Sequence, residues 1–388
     1  MAFKLYCLLL LVRFLWVFQP QPGYIHPDEF FQNPEPLAGD IFGYDVHRTW
    51  EFNKTQLTRS VFFPSLTSGI SFLVLKTLSE ADLLTITPAL LLIFPRLAMV
   101  LCSLSTDFCI YNISKLLKFN PEKCLNIFAS SYIVLVFCSR TFSNSIEVGV
   151  YALILLMVVD SRQKQLVPQA QSKKEKGRSL PRRRNPKGRG KVKNITLTPL
   201  NFIKYNLDVD NLSSHGIHPQ VTHFFVNLPM LCLPLYVSFF TEVFAVYFGK
   251  GKASRPTFTS STSRAFLGLC FFTPVLLISI FPHQEARFVM PAVIPLILLY
   301  SEFVTFPNGF PNVPWIAWNL LGCLIFGLLH QAGMIPCLAH INGMLVKQPS
   351  AEPVSHHVVF FHTYMPPRHL LMRSLNLKGR ASELHIQT

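Results

Sequence analysis

Residues 2–18 read "AFKLYCLLLLVRFLWVF", and further long, predominantly apolar runs occur at 84–104, 124–138, 145–160, 222–248, 265–281, 288–304 and 314–336. Runs of this length, without the spacing of an amphipathic helix or strand, belong in a bilayer. Charge confirms the class. Half of the 388 residues are hydrophobic and only 14% are charged, against about a quarter in soluble domains. The expected fold is an all-α polytopic membrane protein. Arg13 interrupts the first run and no small-residue cleavage site precedes "QPQPGY", so the run reads as a retained signal anchor. Most of the nine cysteines, Cys7, Cys102, Cys138, Cys232, Cys270 and Cys323 among them, lie in apolar runs without a CxxC pair, which is the pattern of buried thiols.

The net charge of +15 is almost wholly local. Between Arg162 and Lys193 there are 13 Lys and Arg against one acid, Glu175, with no aromatic residue. Such a stretch is expected to be a disordered loop, and between membrane spans it marks the cytosolic side. No nucleic-acid partner is expected. The loop 20–60 carries six acids against three Lys and Arg, as a luminal loop should. The chain therefore divides into an N-terminal membrane region (1–160) with the luminal loop 20–60, a basic cytosolic loop (161–193), a C-terminal membrane region (194–337) and a luminal tail (338–388). Residues 61–78, interrupted by Pro64, Ser65, Thr67, Ser68 and Gly69, read as re-entrant or interfacial. One conflict remains. The basic "GKGKASR" (249–255) places 200–221 in the lumen, yet no apolar run separates those residues from the cytosolic loop. An odd number of crossings is missing there.

Three polar segments share the expected luminal side. In "HPDEFF", Asp28 or Glu29 can act as a general base toward an attacking hydroxyl; the pair serves equally as an N-cap after His26-Pro27. In "HQEARF", His283, Glu285 and Arg287 suit a phosphate leaving group, or else form an Arg–Glu pair at a helix end. In "RTFSNSIE", Arg140, Asn144 and Glu147 fall at helical spacings, as they also would in a polar turn. His330, His362 and Arg368 are further polar candidates. No HxxxH or HExxH is present, and the one DxD, Asp208-Val209-Asp210, precedes no nucleotide-type fold, so neither a metal nor a nucleotide cofactor is expected.

Together "GYIHPDEFFQ", "TWEFN", "RSVFFPSLTSG", "RTFSNSIE", "TPLNFIKYN", "FPHQEARF" and "HTYMPPRHLL" resemble, in order, the mannosyltransferases of glycosyltransferase family 22. Within that family, the wording favours the enzymes that add a fourth mannose to glycosylphosphatidylinositol (GPI) precursors. The resemblance implies a GT-C fold with a catalytic first luminal loop in the endoplasmic reticulum membrane. It implies dolichol-phosphate-mannose as a lipid-linked donor, a GPI glycolipid as acceptor and an inverting α-1,2 transfer. It further implies Asp28 as base, Glu29 orienting it or a sugar hydroxyl, and His283, Glu285 and Arg287 on the donor phosphate. His26, Arg140, Asn144, His330, His362 and Arg368 are then candidate substrate contacts. Gln284 stands where many relatives carry Lys. Relatives also carry a membrane region with an Asn-Arg-Pro-Thr stretch that is missing between "MVVD" and "NITLTPLNF" here, and "KGRASELHIQT" lies outside the pattern. The chain thus reads as an alternative transcript or an imperfect gene model. Other readings from the residues are the same chemistry on the third GPI mannose or an N-glycan precursor, a lipid transporter, or an inactive truncated form.

Overall fold

The computed structural model describes residues 2–19, 21–52, 58–166, 205, 216, 218–248, 261–347, 356–374 and 384–387. It is a helical bundle, with one short parallel pair of strands, His356–Val359 and Leu384–Gln387. Among the described residues, six helices are long and apolar enough to cross a membrane: Phe62–Glu80, Pro88–Leu116, Ser143–Lys164, His223–Ala245, Thr262–Ser279 and Val313–Val346. Their outward faces carry Phe62, Leu101, Phe108, Met157, Phe225, Leu269 and Leu320, which a bilayer would solvate at no cost.

Several helix starts arise from local sequence. Thr87, Asn120 and Asn312 each accept a backbone N–H three residues on, from Leu90, Lys123 and Trp315. Proline occupies one of the first two helical positions in all three. A polar N-cap with Pro just after it satisfies an orphan donor and presets φ.

Contacts fix which ends of the helices lie together. At one end, here termed upper, Tyr24 N–H donates to the His330 carbonyl at 2.7 Å, and Arg140 Nη1 donates to the Gly23 carbonyl at 2.6 Å. His218 N–H bonds the Pro282 carbonyl there too. At the lower end Lys123 pairs with Glu302, Asn126 bonds the Gly309 carbonyl and Gln163 bonds the Leu116 carbonyl. The chain is thus at the lower end by Gln163 and at the upper end by His218. The missing crossing, and the basic loop from 167 to 193, fall in residues outside the described set.

The structure redraws several expected boundaries. Helix Ser143–Leu166 continues six residues past the expected end of the N-terminal region. The boundary at 337/338 falls inside helix Met334–Lys347. The run 124–138 is two short pieces, Pro121–Ala129 and a π-helical turn Ile133–Phe137. The run 288–304 becomes a 3₁₀ segment, Ala286–Ala292, and then helix Val293–Tyr300. That helix, "VIPLILLY", is apolar on every face and buried at every residue, as an all-round hydrophobic helix must be. Residues 62–80, expected to be re-entrant or interfacial, form a continuous rod of α and π turns. The rod is long enough to span, yet it lies lengthwise along helix Pro34–Phe42: Asn33 meets Thr67 and Lys76 meets the Ile41 carbonyl.

Candidate active site

The short helix Asp28–Phe31 begins directly after Pro27, and no side chain caps it. The two adjacent acids are therefore free of the capping role, and they diverge. Asp28 faces the partly open upper end, where its Oδ2 lies 2.7 Å from Arg287 Nη1 and its Oδ1 lies 3.5 Å from His26 Nδ1. Glu29 turns the other way and is fully buried. Arg96 Nη2 and Arg140 Nη1 clamp its two oxygens at 2.7 and 2.8 Å, and Thr141 Oγ1 donates to its carbonyl at 2.6 Å. A one-residue step along a helix turns a side chain by about 100°, so one acid reaches the opening while its neighbour anchors the loop.

Residues 283–287 complete the cluster. His283 Nε2 lies 2.8 Å from Glu285 Oε1, Glu285 lies 3.7 Å from His26 Nε2, and the Arg287 guanidinium pairs with Glu285 as well as with Asp28. Two carboxylates, one guanidinium and two imidazoles thus share one polar patch. Burial pushes the Asp28 carboxyl up, but the His26 bond and Arg287 outweigh it and hold it well below the usual carboxylate range. Burial likewise opposes Glu285, which the His283 bond and Arg287 bring down to about 2. The same bond to Glu285, against burial, raises His283 above its ordinary value. Burial also disfavours ionised Glu29, and Arg140 and Arg96 overcome it.

The remaining candidates separate by position. Arg140 is fully buried and committed to Glu29 and the Gly23 carbonyl, so it holds the loop rather than facing the opening. Asn144 bonds Glu147 at 2.9 Å. His330 Nδ1 donates to the Tyr24 carbonyl at 2.9 Å, fastening the segment that leads into His26. His362 and Arg368 are not brought to the cluster. His362 is exposed beside Phe361. Arg368 lines a separate small cavity with Asp45, Leu371, Arg373 and Ile386. Gln284 points away from the opening: its Nε2 donates to the carbonyls of Ser279, Phe281 and Gln220, and its Oε1 accepts from His223 N–H. Position 284 therefore joins two upper loops and adds no group to the polar patch.

Sequence reasoning missed Arg96, Glu35, His369 and Tyr364. Arg96 sits in "LLLIFPRLAMV", and a lone arginine within an apolar run was itself a signal. Glu35 is fully buried, accepts from the backbone N–H groups of His47, Arg368 and His369, and pairs with the His369 ring. It thereby ties the loop 20–60 to the tail. Tyr364 lies within 6.0 Å, ring to ring, of both His26 and His330.

Comparison with known proteins agrees with this architecture. The model of the Alg9-like mannosyltransferase family matches residues 4–177 and 193–373. GPI alpha-1,2-mannosyltransferase 4 of Homo sapiens is 33% identical over 93% of this chain and 74% of its own length. GPI mannosyltransferase 4 of Drosophila melanogaster is 28% identical over 93% of the chain and 70% of its own. The protein of that name from Schizosaccharomyces pombe is 26% identical over 93% and 72%. No solved structure matches. The six membrane-capable helices and a family match over nearly the whole length define a polytopic glycosyltransferase, and the chain belongs to the Alg9-like mannosyltransferase family.

Proposed function

We propose that the chain transfers mannose from dolichol-phosphate-mannose to the third mannose of a GPI precursor, forming the α-1,2 linkage of the fourth. The observation that carries the chemistry is the Asp28–Arg287 pair at 2.7 Å, with His283 and Glu285 beside it. Asp28 takes the proton of the acceptor 2-hydroxyl. The freed oxygen bonds the anomeric carbon from the face opposite the phosphate, the bond from that carbon to the phosphate oxygen breaks, and dolichyl phosphate leaves with the electron pair. Inversion turns a β-linked donor into an α-linked product.

A carboxylate paired with arginine is a poor base. The donor supplies the remedy: its phosphate competes for Arg287, and as the guanidinium turns to it Asp28 loses its strongest counter-charge and gains basicity. The base is thus armed only with donor in place. His283, whose bond to Glu285 favours its protonated form, gives the leaving phosphate a second donor. The acceptor comes from the names of the relatives, all of which act on GPI. Both substrates are lipids, so the reaction belongs at the luminal face of the endoplasmic reticulum membrane, where the upper end of the bundle would lie. The test is expression of this chain in cells lacking the fourth-mannose enzyme. Four-mannose GPI precursors are expected. Unextended three-mannose precursors, with the chain present in the membrane, would overturn the acceptor assignment.

A further inference from the structure

The rings around the polar patch fall into two groups, one about each of its histidines. His283 neighbours His218 at 6.0 Å and Phe288 at 5.7 Å. The other group is Tyr24, His26, His330 and Tyr364. Tyr364 stands at its centre, with ring centroids 5.4 Å from Tyr24 and 6.0 Å from both His26 and His330. Inversion requires the leaving phosphate and the attacking hydroxyl on opposite faces of the anomeric carbon. The attacking hydroxyl must reach Asp28, which lies 3.5 Å from His26, so the acceptor sugar belongs beside His26 and Tyr364.

Tyr364 is built to stay in place. Tyr24 donates its hydroxyl to the carbonyl of Met365 at 2.8 Å, and the backbone N–H groups of Arg368 and His369 end on buried Glu35. The segment 364–369 is thereby fastened at both ends to the loop that carries Asp28. The Tyr24 hydroxyl is spent on this anchoring. The Tyr364 hydroxyl makes no hydrogen bond to any described residue, and its residue is only half buried. Burial and then Glu285 push that phenol up, with Arg287 opposing, so it is a donor and not an anion, close enough to the patch to feel both charges. A rigid aromatic face with an unspent hydroxyl at its tip is what a pyranose ring recognises: its C–H face packs on the ring and one hydroxyl meets the phenol.

We infer that Tyr364 is the platform for the acceptor sugar, packing against its apolar face and hydrogen-bonding one of its hydroxyls beside Asp28. The inference rests on the proposed mannosyl transfer but concerns one substrate only. Purified chain in lipid nanodiscs is assayed with separately varied donor and trimannosyl GPI acceptor, for wild type, Tyr364→Phe and Tyr364→Ala. Tyr364→Ala is expected to raise the acceptor KM tenfold or more and leave the donor KM within twofold. Tyr364→Phe, which keeps the ring and its packing, should raise the acceptor KM two- to fivefold. Equal changes in both KM values, or none, would overturn the platform. A second arm needs no turnover: saturation-transfer NMR of the synthetic trimannoside headgroup with the same three proteins. Headgroup binding lost in Tyr364→Ala from a chain that transfers nothing would sink the proposed function and keep the platform. Binding equal in wild type and Tyr364→Ala, or absent from wild type, would overturn the platform itself.

Discussion

At the scale of single residues, the adjacent acids Asp28 and Glu29 have opposite fates that "HPDE" alone did not separate. Which acid reached the opening depended on Arg96 and Arg140, 67 and 111 residues away from Glu29, and no local pattern encodes that choice. Glu29→Gln leaves two buried guanidinium groups without a counter-charge, and removing one partner of a buried pair costs about 3–5 kcal/mol. A lowered unfolding midpoint in nanodiscs, accompanied by lost activity, is the expected result. His283 sets the pH response. Its folded value is raised by Glu285, so the protonated form extends to higher pH than in an ordinary histidine and is lost as pH rises through that raised value. Asp28 and Glu285 are both lowered, so neither produces a limb near neutrality in the free enzyme. A profile of kcat/KM against pH should hold a plateau and fall on its alkaline side as His283 loses its proton, at a higher pH than an ordinary histidine would. His283→Gln should lower the plateau and abolish that alkaline fall.

At the scale of elements, the apolar runs located the helices well and their interruptions poorly. Residues 133–137, 223–227 and 323–329 are π-helical, and each lies at or within a few residues of an upper-end contact made by Arg140, His223 or His330. A π turn leaves an extra residue in the helix and re-aims the side chains beyond it, and such turns gather at functional sites. Hydropathy averages over them, so the sequence read continuous spans. The glycines at these junctions are sharper markers. A Cβ on Gly23 would lie 2.4 Å from the Phe326 carbonyl oxygen and 2.8 Å from that of Gly327. Both obstacles are backbone and cannot swing aside. Gly23→Ala should therefore displace the segment leading to His26 and Asp28, costing about 1–3 kcal/mol. Reduced thermal stability together with a fall in kcat is expected; unchanged values of both would show that the segment has room to move.

At the scale of the whole molecule, two buried ion pairs on one helix register the loop against the bundle. Helix Pro88–Leu116 carries Arg96, paired with Glu29, and Asp107, which meets Arg13 at 2.7 Å and accepts from the Tyr6 hydroxyl. Eleven residues are close to three helical turns, so both groups lie on one face and the first helix and the loop beyond it are fastened at two depths. Both arginines interrupt apolar runs, where an ionisable residue is costly unless paired. The chain announced them; what it withheld was the partner. The tail was read for its polar side chains, yet its largest task is packing: His369 is buried on Glu35 and against Phe30 and Phe72. Order along the chain carried the family, but the distribution of labour among the motifs came only from their contacts. The family match breaks between 177 and 193, within the basic segment. Deletion of residues 178–192 should leave transfer within about twofold of wild type, measured in nanodiscs on matched amounts of protein.

The central claim is that Asp28 is the base and Glu29 its scaffold. The most direct measurement is the transfer rate of purified wild type and Asp28→Asn with dolichol-phosphate-mannose and a trimannosyl GPI acceptor, paired with the unfolding midpoint of each. A positioned base contributes about 10²–10⁴-fold. The account predicts a loss of that size with the midpoint unmoved, because Asp28 is partly open and its partner Arg287 keeps Glu285. An Asp28→Asn protein that transfers mannose within a few-fold of wild type would contradict it.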